Sequence, residues 1–318
     1  MLSFQTASRQ NSACGKQTET GGKTVKSLGI DLGGTSAKIG IVEDGVILES
    51  LTVPTRPDSD YEGIVRDLSQ AALSLTEKHK IRKVGIGSPG LIDSVTGKVC
   101  YSNNIRWSDA PLREDLAKIL RAPALIANDA KCAALGEALY GAGKGCRRVA
   151  MLTLGTGVGG GFVVDGRLES GSMYADAAGI FGHMTLYPGG RNCNCGRKGC
   201  LEAYCSATAV AAEASEAFGK STTAKELFDE ARGGNARACT IVDEFARNLG
   251  TALVSLANIL RPECFVIGGG VSASADLFLP VLNEMLEKEA YGASYAPVKA
   301  VAALLGNSAG IIGAASLR

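Results

Sequence analysis

The sequence predicts two α/β lobes facing each other across a cleft, and three observations carry that prediction. The first is a repeated grammar. The run LGIDLGGTSAKIGIVEDGVILES over 28–50 reads as strand, glycine turn, strand, Asp-Gly hairpin turn, strand. The run AMLTLGTGVGGGFVVDGRLES over 150–170 repeats it, down to the closing Leu-Glu-Ser. A duplicated hairpin that opens each half of a chain points to two similar lobes, each presenting its glycine turn to the space between them. The second observation is glycine itself. The 41 glycines amount to about 13% against a usual ~7%, and they cluster behind apolar segments, which is how phosphate-binding loops are distributed. The third is the alternation of buried-strand patterns with amphipathic helices, which fits layered α/β units.

Residues 1–26 are polar and aperiodic, without an apolar stretch of signal-peptide length, and read as a flexible extension. Few acidic residues there leave an organelle-targeting role open, although Arg9, Lys16 and Lys23 do not lie on a clear amphipathic helix. After the first hairpin, 61–80 is expected to be a helix with Ile64, Leu68, Ala71, Ala72 and Leu75 on one stripe. A second helix is expected over 109–121, with Pro111 near its start. Ala124 to Ala127 reads as a strand ending in Asn128-Asp129, and Ala130 to Tyr140 as a helix. Both polar side chains thus stand at a strand's carboxyl end and a helix's N-terminus, where α/β proteins bind ligands. They are also a natural N-cap pair. A long helix over 236–260 carries Ile241, Phe245, Leu249, Leu253, Leu256 and Leu260 on one face, stops before Pro262, and leads into the strand Cys264 to Ile267. These readings divide the chain into the extension 1–26, a small lobe over 27–127 rejoined by a C-terminal helix at about 306–318, and a large lobe over 128–305.

Composition narrows the function. The chain is 46% hydrophobic and 20% charged with a net charge of +1, which gives no electrostatic case for nucleic acid or an anionic membrane. No apolar run approaches the roughly 20 residues needed to span a bilayer. The expected partner is a small molecule, and free thiols suit a reducing cytoplasm.

His183, Cys193, Cys195 and Cys200 offer four soft ligands at tetrahedral zinc spacing, in a chain with two histidines and ten cysteines. Gly196 and Gly199 let the loop fold back so that the sulfurs converge. A redox or disulfide cluster is the competing reading. A site closed by four protein ligands has no open position for water, so it shapes a loop for something nearby: the second ring nitrogen of His183 and the carboxylate of Glu202. The turns Gly33-Gly34-Thr35 and Gly155-Thr156-Gly157 can expose consecutive backbone N–H groups as anion nests, or serve merely as tight hairpin turns. Asp31 is placed to hold Mg²⁺ through water, and Lys38 adds an optional phosphate charge. Gly268-Gly269-Gly270 could let an adenine lie against backbone, though such a run is equally a plain turn.

Together these motifs, with GIGSPG over 85–90, NIRW over 104–107, NDAKCAALGE over 128–137 and CNCGRKGCLE over 193–202, resemble the ROK family of sugar kinases over nearly all of 27–318. The resemblance implies a two-lobed actin-like ATPase (ribonuclease H-like) fold, with ATP and sugar in the cleft. It implies phosphorylation of a hexose or N-acetylhexosamine, at its 6-hydroxyl, with Asp129 as general base. Asn104, Asn128, His183 and Glu202 match sugar-contacting positions, the metal is a structural Zn²⁺, and the assembly expected is a homodimer. One position departs from the family's A-G-E-x-G-H pattern: 178–183 read AGIFGH, which puts Ile180 where a glutamate grips sugar hydroxyls. The alternatives are an altered substrate, a weak kinase, or an inactive sugar-binding sensor. A repressor of the kind related to these kinases would need a helix-turn-helix ahead of residue 27, and 1–26 show no such pattern.

Overall fold

The computed structural model describes residues 25–55, 60–102, 104–169, 171 and 177–318. The expected extension 1–26 lies outside the described residues except for Val25 and Lys26.

β1 (Ser27–Leu32), β2 (Ser36–Glu43) and β3 (Val46–Pro54) form the predicted antiparallel meander. α1 (Tyr61–Thr76) follows, capped by the Asp60 carboxylate, and is shorter than the expected 61–80. Just past its end, Lys78 and His79 both reach Glu49 on β3, at 2.6 and 3.1 Å. β4 (Val84–Ser88) is fully buried. β5 (Leu91–Asp93), β6 (Lys98–Ser102) and β7 (Trp107–Ala110) then make a small antiparallel sheet. The helix expected over 109–121 therefore begins late, as α2 (Leu112–Leu120), because Trp107–Ala110 pairs with β6. β8 (Ala124–Asn128) and α3 (Asp129–Tyr140) match the reading from sequence. The first large sheet runs β3-β2-β1-β4-β8, with β1, β4 and β8 parallel.

β9 (Arg148–Leu154), β10 (Val158–Val164) and β11 (Arg167–Leu168) repeat the meander, the third strand shrunk to two residues. After the metal loop come α4 (Glu202–Cys205), α5 (Ala207–Phe218), α6 (Ala224–Arg232) and α7 (Ala236–Leu260), the last with the bounds expected. β12 (Cys264–Gly268) lies parallel to β9 on one side and to β13 (Lys299–Ala302) on the other, with α8 (Leu279–Glu289) between them in the chain. The second large sheet is thus β11-β10-β9-β12-β13, in the same strand order as the first.

α3 and the closing helix α9 (Ala309–Ala315) form the layer between the two sheets. Ala127, Cys132, Leu135, Met151, Val266 and Ala314 share its core. The layer is thin because glycines bring main chains into contact: a Cβ at Gly29 would overlap the Ile311 carbonyl, at Gly85 that of Ala314, and at Gly313 that of Cys132. Backbone cannot move aside as a rotamer can, so these contacts set the distances from α9 to the first sheet and to α3. Asp31 and Asp129, on different elements, are brought near each other by the same packing.

Candidate active site

Asp129 opens α3 where β8 ends, with Asn128 as N-cap accepting from the amides of Ala130 and Lys131. Asn128 also donates to the Gly90 carbonyl at 3.1 Å, tying the cap to the turn after β4. Burial pushes the Asp129 carboxyl above its ordinary range, against hydrogen bonds that favour its ionised form. Asp31, on β1 with Lys38 as cross-strand partner, is pushed up to about 6 by burial and by the charge of Asp129, with Lys38 pulling the other way. Its carboxylate fits because residue 310 is glycine; a Cβ there would overlap it. Asp31 and Asp129, close enough for the charge of one to act on the other, are hard oxygen donors of the kind Mg²⁺ takes up.

A cleft of about 520 Å³ lies over Asp129 and is also lined by Asn104, Asn128, His183, Glu202 and the turn Gly155-Thr156-Gly157. Gly269 reaches its edge. In the turn, the Gly155 amide bonds to the Gly157 carbonyl at 3.0 Å, leaving the amides of Thr156 and Gly157 without an acceptor among the described residues. The first turn behaves alike: the Gly33 amide is taken by the Ser36 carbonyl, and those of Gly34 and Thr35 have no acceptor among the described residues. Each nest therefore offers two amides instead of three. Gly34 packs beside Asn104, whereas Asp31, Gly33, Thr35 and Lys38 do not line this cleft. Lys38 reaches the Asn307 carbonyl. Gly268 ends β12 against the Met151 side chain, Gly269 (φ +82°) turns the chain, and Gly270 faces open space.

The metal loop closes as its spacing predicts. One atom each from His183, Cys193, Cys195 and Cys200 lies within 4.8 Å of the others. Cys195 and Cys200 sulfurs are 3.7 Å apart, and Cys193 Sγ is 3.7 Å from His183 Nδ1. A tetrahedral ion with Zn–S bonds of about 2.3 Å has ligand–ligand edges of about 3.8 Å, so the four fit zinc. The thiols are separate, not paired as disulfides. Nδ1 faces the sulfurs, which leaves Nε2 for a ligand in the cleft. Gly196 and Gly199 both take positive φ, and a Cβ at Gly199 would overlap the Tyr187 carbonyl. Arg197 braces the loop by donating to the His183 carbonyl at 3.0 Å.

A model of the ROK family matches residues 27–318. The chain belongs to the ROK family. It is 37% identical to a glucokinase of Thermotoga maritima over 309 residues, covering 92% of this chain and 97% of the relative. A solved ROK hexokinase from Thermus thermophilus superposes with a TM-score of 0.81 at 33% identity, over 92% of this chain and 97% of that one. A ROK glucokinase from Streptomyces griseus, solved with glucose and AMPPNP, gives 0.76 at 34%, over 91% and 98%. The two mixed sheets are thus the actin-like ATPase fold of the family, and the His-Cys cluster is its structural zinc site.

Several features of this ROK-family site were not foreseen. Glu202 is turned inward: Oε2 accepts the Val158 amide at 3.0 Å and Oε1 lies 3.6 Å from Cys193 Sγ. Asn194, between two zinc ligands, lines the cleft. Lys131 is buried in the wall of an adjoining cavity of about 510 Å³ that shares Asn104, Asn128 and His183 and contains the departing Ile180. Ile180 is 46% exposed and lines that cavity. The asparagine between the ligands was visible in sequence, but nothing local marked its direction. Among the described residues no helix is long and apolar enough to cross a membrane.

Proposed function

We propose that this ROK-family chain is an ATP-dependent, glucokinase-like kinase that transfers the γ-phosphate to the 6-hydroxyl of a hexose or N-acetylhexosamine. The observation that carries the reading is Asp129, a part-buried carboxylate of raised proton affinity at the floor of a cleft that also holds a glycine nest. Such a carboxylate accepts the hydroxyl proton as the sugar oxygen forms its bond to phosphorus and ADP leaves with the cleaved oxygen. Asn104, Asn128, His183 Nε2 and Glu202 hold the sugar, and the amides of the two turns hold the phosphates, with the Gly268–Gly270 turn beside the adenine. Asp31 and Lys38 sit where the nucleotide's phosphates and their metal are neutralised; Mg²⁺, when bound, supplies that charge. Positioning and charge neutralisation suffice for this chemistry without a covalent intermediate. The lobe division is the one read from sequence, 27–127 with 306–318 against 128–305. We also place the protein in the reducing cytoplasm as a homodimer, the commonest symmetric state.

The test is sugar-dependent ADP release with Mg-ATP over glucose, mannose, fructose, N-acetylmannosamine and N-acetylglucosamine, with Asp129→Asn as control. Turnover with one or more sugars, lost in the control, is expected. Exposure of Ile180 to the cavity favours a second reading, a sugar-binding sensor. It predicts sugar binding with no turnover above the control.

A further inference from the structure

The second glycine turn is held from behind by one short stretch of chain, and that stretch begins at a zinc ligand. Between Cys200 and Thr208 the chain makes three contacts to the turn. Glu202 Oε2 accepts the Val158 amide at 3.0 Å, the Ala207 amide donates to the Gly155 carbonyl at 2.8 Å, and the Thr208 hydroxyl donates to the Thr156 carbonyl at 2.9 Å. Gly157, the remaining residue of the turn, lies against Glu202, whose carboxylate a Cβ there would overlap. The same stretch is tied at its start to the metal loop. Thr185 and Cys200 form an antiparallel bridge, the Leu201 amide donates to the Met184 carbonyl at 2.9 Å, and Glu202 Oε1 meets Cys193 Sγ. The first turn is held differently. Thr55 takes the Gly33 carbonyl with its hydroxyl and the Thr35 carbonyl with its amide, far in the chain from any zinc ligand.

A turn with glycine at two of three positions has wide backbone freedom, and a nest that must be ordered at each binding event loses affinity for that reason. The three outside bonds remove that freedom in advance for the second turn. Their geometry depends on where Cys200 lies, and a zinc ion bound to its thiolate would fix that position further.

We propose that the zinc loop acts on the second phosphate turn, through the strap 200–208, with Thr208 and Glu202 as positioning residues. Metal occupancy then sets the order of the Thr156 and Gly157 amides, in addition to shaping the sugar side of the cleft through His183. The link to nucleotide rests on the kinase reading; the mechanical link does not.

The test is amide hydrogen exchange on the zinc-loaded protein, on the same protein after chelation, and on Thr208→Val and Thr208→Ser, with zinc content measured in each. Chelation and Thr208→Val are each expected to speed exchange at the two hydrogen-bonded amides of this contact, Val158 and Ala207, by about threefold to tenfold, the range for losing one partly exposed hydrogen bond. The turn at 33–36 should not change. Thr208→Val should keep its zinc and bind AMPPNP correspondingly less tightly at unchanged sugar affinity, and Thr208→Ser should restore wild-type behaviour. The proposal is overturned if chelation opens 183–202 while exchange at Val158 and Ala207 stays at the wild-type level. It is equally overturned if Thr208→Val leaves both exchange and AMPPNP affinity unaltered. Should chelation unfold the protein, the two Thr208 variants decide. A wild-type protein that binds no AMPPNP would count against the kinase reading, and the exchange data would still decide the coupling.

Discussion

Asp31→Asn separates what a buried carboxylate costs from what it does. Burial and the charge of Asp129 push the Asp31 carboxyl from 3.8 to about 6, despite Lys38 alongside. The folded protein therefore holds this proton more tightly than the unfolded chain. An acid with a raised folded value destabilises the fold when ionised: the cost is fully present above about pH 6 and disappears as pH falls from about 6 through 3.8. At about 1.4 kcal/mol per tenfold in proton affinity, the full cost is about 3 kcal/mol. Asparagine keeps the shape and must still be desolvated, so the expected gain is about 2 kcal/mol. At roughly 2–4 °C per kcal/mol, the metal- and nucleotide-free variant should melt roughly 4–8 °C above wild type at about pH 7.5. Thermal unfolding of both proteins at about pH 7.5, 6, 5 and 4 should show that advantage shrinking to nothing at the acid end. The same variant should lose Mg-ATP turnover. Equal midpoints at about pH 7.5, or an advantage that persists undiminished at about pH 4, would refute the reasoning.

Other outcomes follow from single contacts. Asp129 must be ionised to act as base, and burial raises its proton affinity, so kcat should fall on the acid side at pH well above its ordinary 3.8; full activity down to about pH 4 would contradict this. Ile180→Glu should lower the KM for at least one sugar by about tenfold or more, since an unpaired buried hydroxyl costs about 1–3 kcal/mol; unchanged KM values for every sugar tested would show that Ile180 is irrelevant. Gly199→Ala meets both a positive φ and the Tyr187 carbonyl, so it should purify with little zinc by metal analysis, whereas Lys198→Ala, one residue away, should keep it. Glu137 is fully buried and accepts from the amides of Ala142, Leu304 and Leu305. Glu137→Gln turns one of those acceptors into a donor, and the urea midpoint should show a loss of about 2–3 kcal/mol.

Much of the protein can be read from short stretches. Both meanders, the cap at Asn128, the helix Ala236–Leu260 and the four zinc ligands depend on turn chemistry, periodicity or spacing within a few residues, and the fold reproduces them. The errors lie where a local pattern was overruled. Trp107–Ala110 pairs with Lys98–Ser102 instead of starting a helix, and α1 ends at Thr76, where the next residues reach Glu49 on a neighbouring strand.

The candidate site divides the same way. Sequence by itself determined which groups carry the chemistry: two carboxylates, two glycine turns and four soft ligands, each identified by residue type and near neighbours. Tertiary structure alone decided where those groups point and what charge they carry. It set Asp31 against Gly310 and near Asp129, turned Glu202 onto Val158 and Cys193, spent one amide of each glycine turn, and bared Ile180 to the cavity. The reason is physical: residue type is local, whereas desolvation, Coulomb interaction and side-chain direction depend on atoms brought close from distant parts of the chain.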